Sequence, residues 1–323
     1  MDSAALKFPD YLKAFESAFF ALPQNFAPKK VNDHLYFFGP HDGEAIDLCV
    51  STVIHGNEPG GLVAITELLK LLKDNNISFA KRVAIVVGNI EAANQGVRFL
   101  ERDLNRSFGR RDVETKEDSI ARLIEPFLAE TKFHIDLHQT KNATLSDFFI
   151  FPQSENNIRF AWHLGKDVPI VVHENQFSVD GMCMDSFVTL NGGIGVTYEM
   201  GQIGHSSVQI HKTLRLLSRA LSLLDSNFPL NAPMPSSVFV FDQIIMADEK
   251  TELVPNWMNF TAVEKGDVIA KKDGEEIRAE FAGHILFPKY PPESEQASEL
   301  CRVIRSVPLA ESFERNSIYR PEL

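Results

Sequence analysis

Val53-Ile54-His55-Gly56-Asn57-Glu58-Pro59-Gly60-Gly61 is the stretch whose reading decides the fold. Before it, Ile46 to Ile54 is a run of mostly apolar and small residues of the kind that forms a buried strand. After it, from about Gly61 to Leu72, apolar residues recur at helical spacing. Strand, glycine-bearing turn and helix in this order predict an α/β unit, with His55 and Glu58 at the carboxyl end of the strand. An imidazole and a carboxylate three residues apart at such a place can aim at one point about 2 Å from each ligand atom, as zinc requires. The same residue types also build ordinary solvated turns, so the pair alone leaves both readings open.

Working outward, Arg82 to Asn89 holds a continuous apolar run, the mark of a strand covered on both faces, and strand, helix, strand implies a parallel crossover. Upstream, Tyr11, Leu12, Phe15, Phe19 and Phe20 predict an amphipathic helix over 8–22, followed by a short strand at Leu35 to Phe38. Downstream come an arginine-rich polar segment at 94–112, a helix near 116–130 and a strand ending at His138. Further strands are expected at Asp147 to Phe151, Val168 to His173 and Gly195 to Glu199, then a helix around Val208 to Leu224. Residues 1–228 therefore read as one α/β domain. Phe228-Pro229-Leu230-Asn231-Ala232-Pro233-Met234-Pro235 reads as a linker. Beyond it, Ser237 to Met246, Asp267 to Lys271, Glu276 to Phe281 and Ile285 to Phe287 are strand-like, and Lys272-Asp273-Gly274-Glu275 suits a hairpin turn. A small, mostly β domain is expected over 236–323, with a charged tail from 291 wrapping the surface.

The 323 residues carry a formal charge of -12, which argues against a general nucleic-acid or anionic-membrane partner. Met1 to Phe20 mixes charges with its apolar residues and lacks a signal-peptide pattern, and no stretch is long and apolar enough to span a bilayer. Cys49, Cys183 and Cys301 are far apart, as buried thiols of a reducing cytoplasm would be, so a cytoplasmic location is expected. There is no Gly-x-Ser-x-Gly elbow, no phosphate-binding loop of the Gly-Lys-Ser/Thr type, and no complete dinucleotide fingerprint around Gly192, Gly193 and Gly195.

Three further stretches could carry chemistry. In Phe133-His134-Ile135-Asp136-Leu137-His138, alternate residues share a strand face, so His138 at the end can meet a metal while Asp136 orients it and His134 stays structural. With His55 and Glu58 it would form a two-histidine, one-carboxylate site with a fourth position open to water, the catalytic zinc pattern; the other reading is a hydrogen-bonded core histidine. Arg98, Arg102, Arg106, Arg110 and Arg111 face only Glu101 and Asp103 locally, and an excess of guanidinium suits carboxylate recognition. Arg98 and Arg106 are the candidates, and Arg102, Arg110 and Arg111 read as solvated. Glu199, in Gly195-Val196-Thr197-Tyr198-Glu199-Met200-Gly201, is either a general base or an exposed strand terminus, the plainer reading from residues alone.

His55-Gly56-Asn57-Glu58, Asp103-Leu104-Asn105-Arg106, Asp136-Leu137-His138 and Tyr198-Glu199-Met200-Gly201, in this order, resemble the succinylglutamate desuccinylase and aspartoacylase family, of zinc carboxypeptidase-like fold. The resemblance implies a largely parallel mixed sheet flanked by helices, with the carboxyl-terminal β domain and tail covering the active-site cleft. It implies one zinc ion held by His55, Glu58 and His138, Glu199 as catalytic glutamate, Arg98 polarising the scissile carbonyl, and Asn105 with Arg106 gripping a substrate carboxylate. The implied reaction is hydrolysis of an N-acyl amino acid, N-succinylglutamate foremost, as in arginine catabolism. The implied partner is a small anionic substrate, with homodimerisation left open. An aspartoacylase-like deacylase, a zinc carboxypeptidase and a catalytically silent binding protein remain alternatives. One position departs from the family pattern: Thr189 stands where an arginine is expected, ten residues before Glu199.

Overall fold

The computed structural model describes residues 7–40, 45–75, 81–112, 114–173, 181–225, 228, 231, 233–247, 250–254, 256–289 and 298–317. Residues 1–6, linker positions 229, 230 and 232, and the tail stretches 291–297 and 318–323 lie outside the described residues. The amino-terminal half runs α1 (Phe8–Phe20), β1 (Lys29–Lys30), β2 (Leu35–Phe38), β3 (Ile46–Thr52), α2 (Gly60–Asn75), β4 (Val83–Val87), α3 (Ile90–Gln95), α4 (Lys116–Leu128) and β5 (Thr131–Thr140). It continues with β6 (Phe148–Pro152), α5 (Glu155–Leu164), β7 (Ile170–His173), α6 (Met184–Leu190), β8 (Ile194–Gln202) and α7 (Ser207–Asp225). Then follow β9 (Ser237–Ala247), β10 (Thr251–Leu253), β11 (Ala262–Val263), β12 (Val268–Lys272), β13 (Glu275–Arg278), β14 (Gly283–Leu286), β15 (Ser298–Pro308) and α8 (Leu309–Ser317).

Among the described residues, twelve strands form one mixed sheet in the order β1-β2-β4-β3-β5-β8-β6-β7-β9-β15-β14-β11, and β10, β12 and β13 form a second. The centre of the large sheet, β4-β3-β5-β8, is parallel. The continuous apolar run of β4 and the mostly apolar and small residues of β3 follow from this: helices cover both faces, so nearly every residue is buried. Phe15, Phe19, Leu69 and Leu217 pack on one face with Val50 and Ile85, and Ile124, Leu128 and Met184 on the other with Cys49 and Val86. Among the described residues no helix is long and apolar enough to cross a membrane.

Several details depart from the sequence reading, among them the strand expected at Glu276 to Phe281, which ends at Arg278. β3 stops at Thr52 because Val53 takes a left-handed φ of 58°, which ends the ladder before Ile54. β5 continues past His138 to Thr140, and its register with β8 shifts between those residues. Most of the described tail does not wrap the surface: Ser298 to Pro308 form β15, inserted between β9 and β14, with Cys301, Val303 and Ile304 fully buried. The turn at Asp273-Gly274 has positive φ at both residues, 52° and 83°, as the hairpin requires. The carboxyl-terminal strands join the main sheet through β7 and β9, at Val171↔Phe239 and Val172↔Val240.

Candidate metal and catalytic centre

The turn after β3 is set by sterics. Val53 is fully buried in the left-handed region, a conformation that costs a β-branched residue about 1–3 kcal/mol and persists only where the surroundings impose it. Two residues on, the strand has turned His55 inward. Gly56 then passes so close to the next segment that a Cβ would lie 2.4 Å from the Ala93 nitrogen and 2.6 Å from the Val97 oxygen. That close approach lets Gly56 N–H donate to the Arg98 carbonyl at 2.9 Å, tying the histidine turn to the arginine-bearing loop.

His55, Glu58 and His138 converge. The Nδ1 atoms of the two imidazoles are 3.1 Å apart, His55 Nδ1 is 2.9 Å from Glu58 Oε1, and His138 Nδ1 is 3.0 Å from Glu58 Oε2. All three side chains are buried. Each outer ring nitrogen is already committed to a carboxylate: His55 Nε2 lies 3.1 Å from Asp103 Oδ1, and His138 Nε2 lies 2.8 Å from Asp136 Oδ2. If those nitrogens carry the protons, two imidazole lone pairs and a carboxylate face one another with no hydrogen between them. Such a set is repulsive without a cation. Ligand atoms on a tetrahedral shell of zinc–nitrogen bonds stand about 3.3 Å apart, close to the spacing found. The donor chemistry therefore fits a divalent metal, and the same three residues are a group whose ligand atoms all lie within 4.8 Å of one another.

The charges around this point are arranged to keep Glu58 ionised. Burial works against its charge, but His55 and His138 outweigh it and hold the carboxyl far below the usual range. The Gln139 N–H adds a hydrogen bond to Glu58 Oε2 at 3.0 Å. Burial also opposes charging of His138, yet Asp136 and Glu58 raise its basicity well above the ordinary value.

Glu199 is buried at 8% exposure, so it is not an exposed strand terminus. It stands directly opposite His138 in the β5–β8 ladder and opposite Phe148 in the β8–β6 ladder. Among the described residues its Oε2 has no hydrogen-bond partner. Burial pushes its carboxyl up to about 7, with Glu58 adding to the rise against His138, His55 and Arg98. A carboxyl that titrates near neutrality beside a candidate metal is suited to taking and returning a proton.

The arginine-bearing loop supplies the rest. Arg98, exposed in the main, donates through Nη1 to Glu58 Oε1 at 3.3 Å and through Nη2 to Asp103 Oδ2 at 3.1 Å. Asn105 and Arg106 sit in a 3-10 turn at Leu104–Arg106, where Asp103 accepts from Asn105 N–H at 2.8 Å. Asn105 Nδ2 is 3.4 Å from His138 Nε2, and its Oδ1 accepts from Met184 N–H at 2.9 Å. Arg106 reaches outward, donating to its neighbour's carbonyl at 2.6 Å and meeting Cys183 Sγ at 2.9 Å. Arg110 is not solvated: its side chain is 11% exposed and lies 3.2 Å from Asp118. Thr189 donates to Asp185 O at 2.8 Å and accepts from Asn157 Nδ2 at 3.0 Å, so it is bound within its own surroundings.

Two contributors escaped the sequence reading as individuals. Asp103 is the shared partner of His55 and Arg98. Glu117, fully buried, accepts from the N–H groups of Leu100, Glu101 and Arg102 at 2.8, 3.3 and 3.2 Å and from Asn89 Nδ2 at 2.9 Å, fixing the loop between Arg98 and Asp103. A glutamate in the first turn of a helix is an ordinary sight; the only sequence signal was its place behind a cationic loop.

A family model described as the succinylglutamate desuccinylase/aspartoacylase catalytic domain matches residues 44–224, more than half of the chain. The succinylglutamate desuccinylase of Serratia proteamaculans (strain 568) is 28% identical over 272 residues, covering 77% of this chain and 82% of that protein. The one from Photorhabdus laumondii is 25% identical over 290 residues, covering 81% and 89%. Among solved structures, succinylglutamate desuccinylase from Chromobacterium violaceum superposes with a TM-score of 0.70 at 20% identity, over 94% of this chain and 99% of that one. A mutant of murine aminoacylase 3 gives 0.60 at 18% identity, over 83% and 99%. These last two likenesses establish a shared architecture.

Proposed function

The chain belongs to the succinylglutamate desuccinylase/aspartoacylase catalytic family, and from that premise we propose that it hydrolyses the amide bond of a small anionic N-acyl amino acid, N-succinylglutamate foremost, with one zinc ion held by His55, Glu58 and His138. The observation that carries the proposal is the pair of inward-facing Nδ1 atoms, 3.1 Å apart, beside a carboxylate and under a buried acid with an unpartnered oxygen.

Zinc at that point would supply a Lewis acid that acidifies water and polarises an amide carbonyl. The chain's own residues do the remainder. Glu199 takes a proton from the attacking water and delivers it to the amide nitrogen as the carbon–nitrogen bond breaks, leaving a carboxylic acid and a free amine. Arg98, held at the cleft by Glu58 and Asp103, offers its guanidinium to the oxygen that gains charge. Asn105 and Arg106 hold the amino-acid carboxylate, Arg106 through the donors it does not spend on Asn105 and Cys183. Asp136 and Asp103 fix the two imidazoles by their outer nitrogens.

A screen of the zinc-loaded protein against succinyl, acetyl and formyl derivatives of glutamate, aspartate and neutral amino acids tests the reading. Turnover of an anionic N-acyl amino acid, with succinylglutamate preferred, is expected. Stoichiometric zinc with no turnover of any derivative would leave a binding protein on this fold, and cleavage of a tetrapeptide would point to a carboxypeptidase.

A further inference from the structure

Aromatic residues from beyond β9 pack on the sheet face that carries Glu199. Phe287, just past β14, meets Phe148 with ring centroids 5.9 Å apart, and Phe260 meets the same ring at 5.1 Å. Phe148 is the ladder neighbour of Glu199. Asn259 pins this contact: its Oδ1 accepts from Phe287 N–H at 2.7 Å, and its own N–H donates to Ala143 O at 3.0 Å in the loop after β5. The strands β14 and β15 thus supply a wall facing the catalytic row.

Arg302 lies on that wall. It stands opposite Leu286 in the β14–β15 ladder and shares a face with Leu286 and Ile304, both of which pack in one apolar cluster with Phe148. Its Nε and Nη2 donate to the two oxygens of Glu299 at 2.7 and 2.6 Å, and its guanidinium carbon is 4.1 Å from the Phe241 ring centroid. Each side chain of the pair is 22% exposed, so solvent reaches it. A planar guanidinium, stacked on an aromatic ring and forked onto two carboxylate oxygens, is a finished carboxylate site. Here the chain supplies the occupant from three residues away. Among the charges that raise the basicity of Arg106, after Cys183, Asp103 and Asp185, is Glu299.

We propose, on the footing of the N-acyl amino acid reading, that Arg302 is a second carboxylate-binding residue of the substrate pocket, gripping the far carboxylate of a dicarboxylate acyl group, with Glu299 as the resting occupant that the substrate displaces. Thr189 brings no cation from α6, and its hydroxyl is engaged within the fold. The positive charge for a second carboxylate then comes from the opposite wall. One carboxylate replaces another on the same fork, so the guanidinium stays paired through the exchange. An acetyl derivative has nothing to offer Arg302 and leaves Glu299 in place, which makes the pair a selector of acyl group.

Calorimetric titration of the metal-loaded full chain with succinate, run beside kcat/KM for a succinyl and an acetyl derivative of one amino acid, decides it. Arg302→Gln should weaken succinate at least about tenfold and lower the succinyl-to-acetyl preference by a similar factor. Glu299→Gln, which removes the competitor, should tighten succinate. Circular dichroism and Tm check that both variants fold. Succinate binding by Arg302→Gln within about twofold of the parent, weaker binding by Glu299→Gln, or no succinate binding by either the parent or Glu299→Gln overturns the assignment. If no N-acyl amino acid is turned over, the hydrolase reading falls, while the titration still decides Arg302.

Discussion

His134 and His138 lie four residues apart on one face of β5, both tied to Asp136, and they differ in what their surroundings leave undone. His138 touches Asp136 Oδ2 directly, whereas His134 reaches Asp136 through Ser51, whose Oγ is 2.7 Å from His134 Nε2 and donates to Asp136 Oδ1 at 2.6 Å. Inside the sheet, burial drives the His134 pKa down to about 4. A neutral imidazole there leaves its Nδ1 without a partner among the described residues. At the sheet's carboxyl edge, His138 turns its Nδ1 toward another imidazole and a carboxylate. The neighbouring strand repeats the contrast. Thr197, level with Asp136, donates to Asp185 Oδ2 at 2.8 Å, while Glu199, level with His138, keeps an unpartnered oxygen. The interior row pairs most of its polar atoms within the fold; the edge row sets two imidazole nitrogens and a carboxylate against one another beside a Glu199 oxygen that has no partner among the described residues.

Removing the two histidines breaks the comparison most severely. His138→Ala should lose stoichiometric zinc and all measurable hydrolysis, whereas His134→Ala should keep the metal and cost about 2–4 kcal/mol of stability through a lost hydrogen bond and a cavity. Metal analysis with thermal unfolding of both variants checks this. Loss of metal from both would show that the row, not the edge, makes the site.

Glu199→Gln sharpens the contrast on the next strand. It should retain zinc and substrate affinity yet fall at least about a hundredfold in kcat, the lower end of a general base's contribution. Steady-state kinetics with metal content read it, and near-normal turnover would remove Glu199 from the proton transfer.

Asp185 gives the smallest and most graded effect. Burial raises its carboxyl from the ordinary 3.8 to about 6, against hydrogen bonds from Thr197 and Ser186. A carboxyl raised on folding stabilises the protein fully below about 3.8 and loses that contribution as pH climbs through about 6. Asp185→Asn cannot ionise, so its stability relative to the parent should improve between pH 4 and pH 7, by at most roughly 3 kcal/mol for a shift of this size. Denaturant midpoints across that range measure it, and a gap that does not vary with pH would mean Asp185 is ionised at little cost.

Much of the amino-terminal half was legible in the sequence because its signals are local. The runs of β3 and β4 announce doubly covered strands, and His55-x-x-Glu58 needs only the turn between them. Glu199 was less legible, since a charged residue at a strand end looks the same whether solvent or a metal site lies beyond it. β15 was hidden for a different reason. Its pairing with β9 gains an extra residue at Leu300, and Val303 and Ile304 are both buried although adjacent, with Arg302 and Arg305 on either side, so no plain two-residue alternation shows. Glu117 and Asp103 act by gathering N–H groups and rings from distant segments, a property of the tertiary structure alone.

The wall that carries Arg302 is moored at more than one place, among them the short β7–β9 ladder and the Asn142 and Asn259 side chains, with Asn142 Nδ2 bonding to Pro288 O and Asn259 Nδ2 to Ala143 O at 3.2 Å. A body hinged at one line can swing; one moored at two cannot without breaking a mooring. Admission to this cleft would then be governed by a fixed aperture, and a molecule too large for it would be turned away at the rim instead of being enclosed by a closing flap.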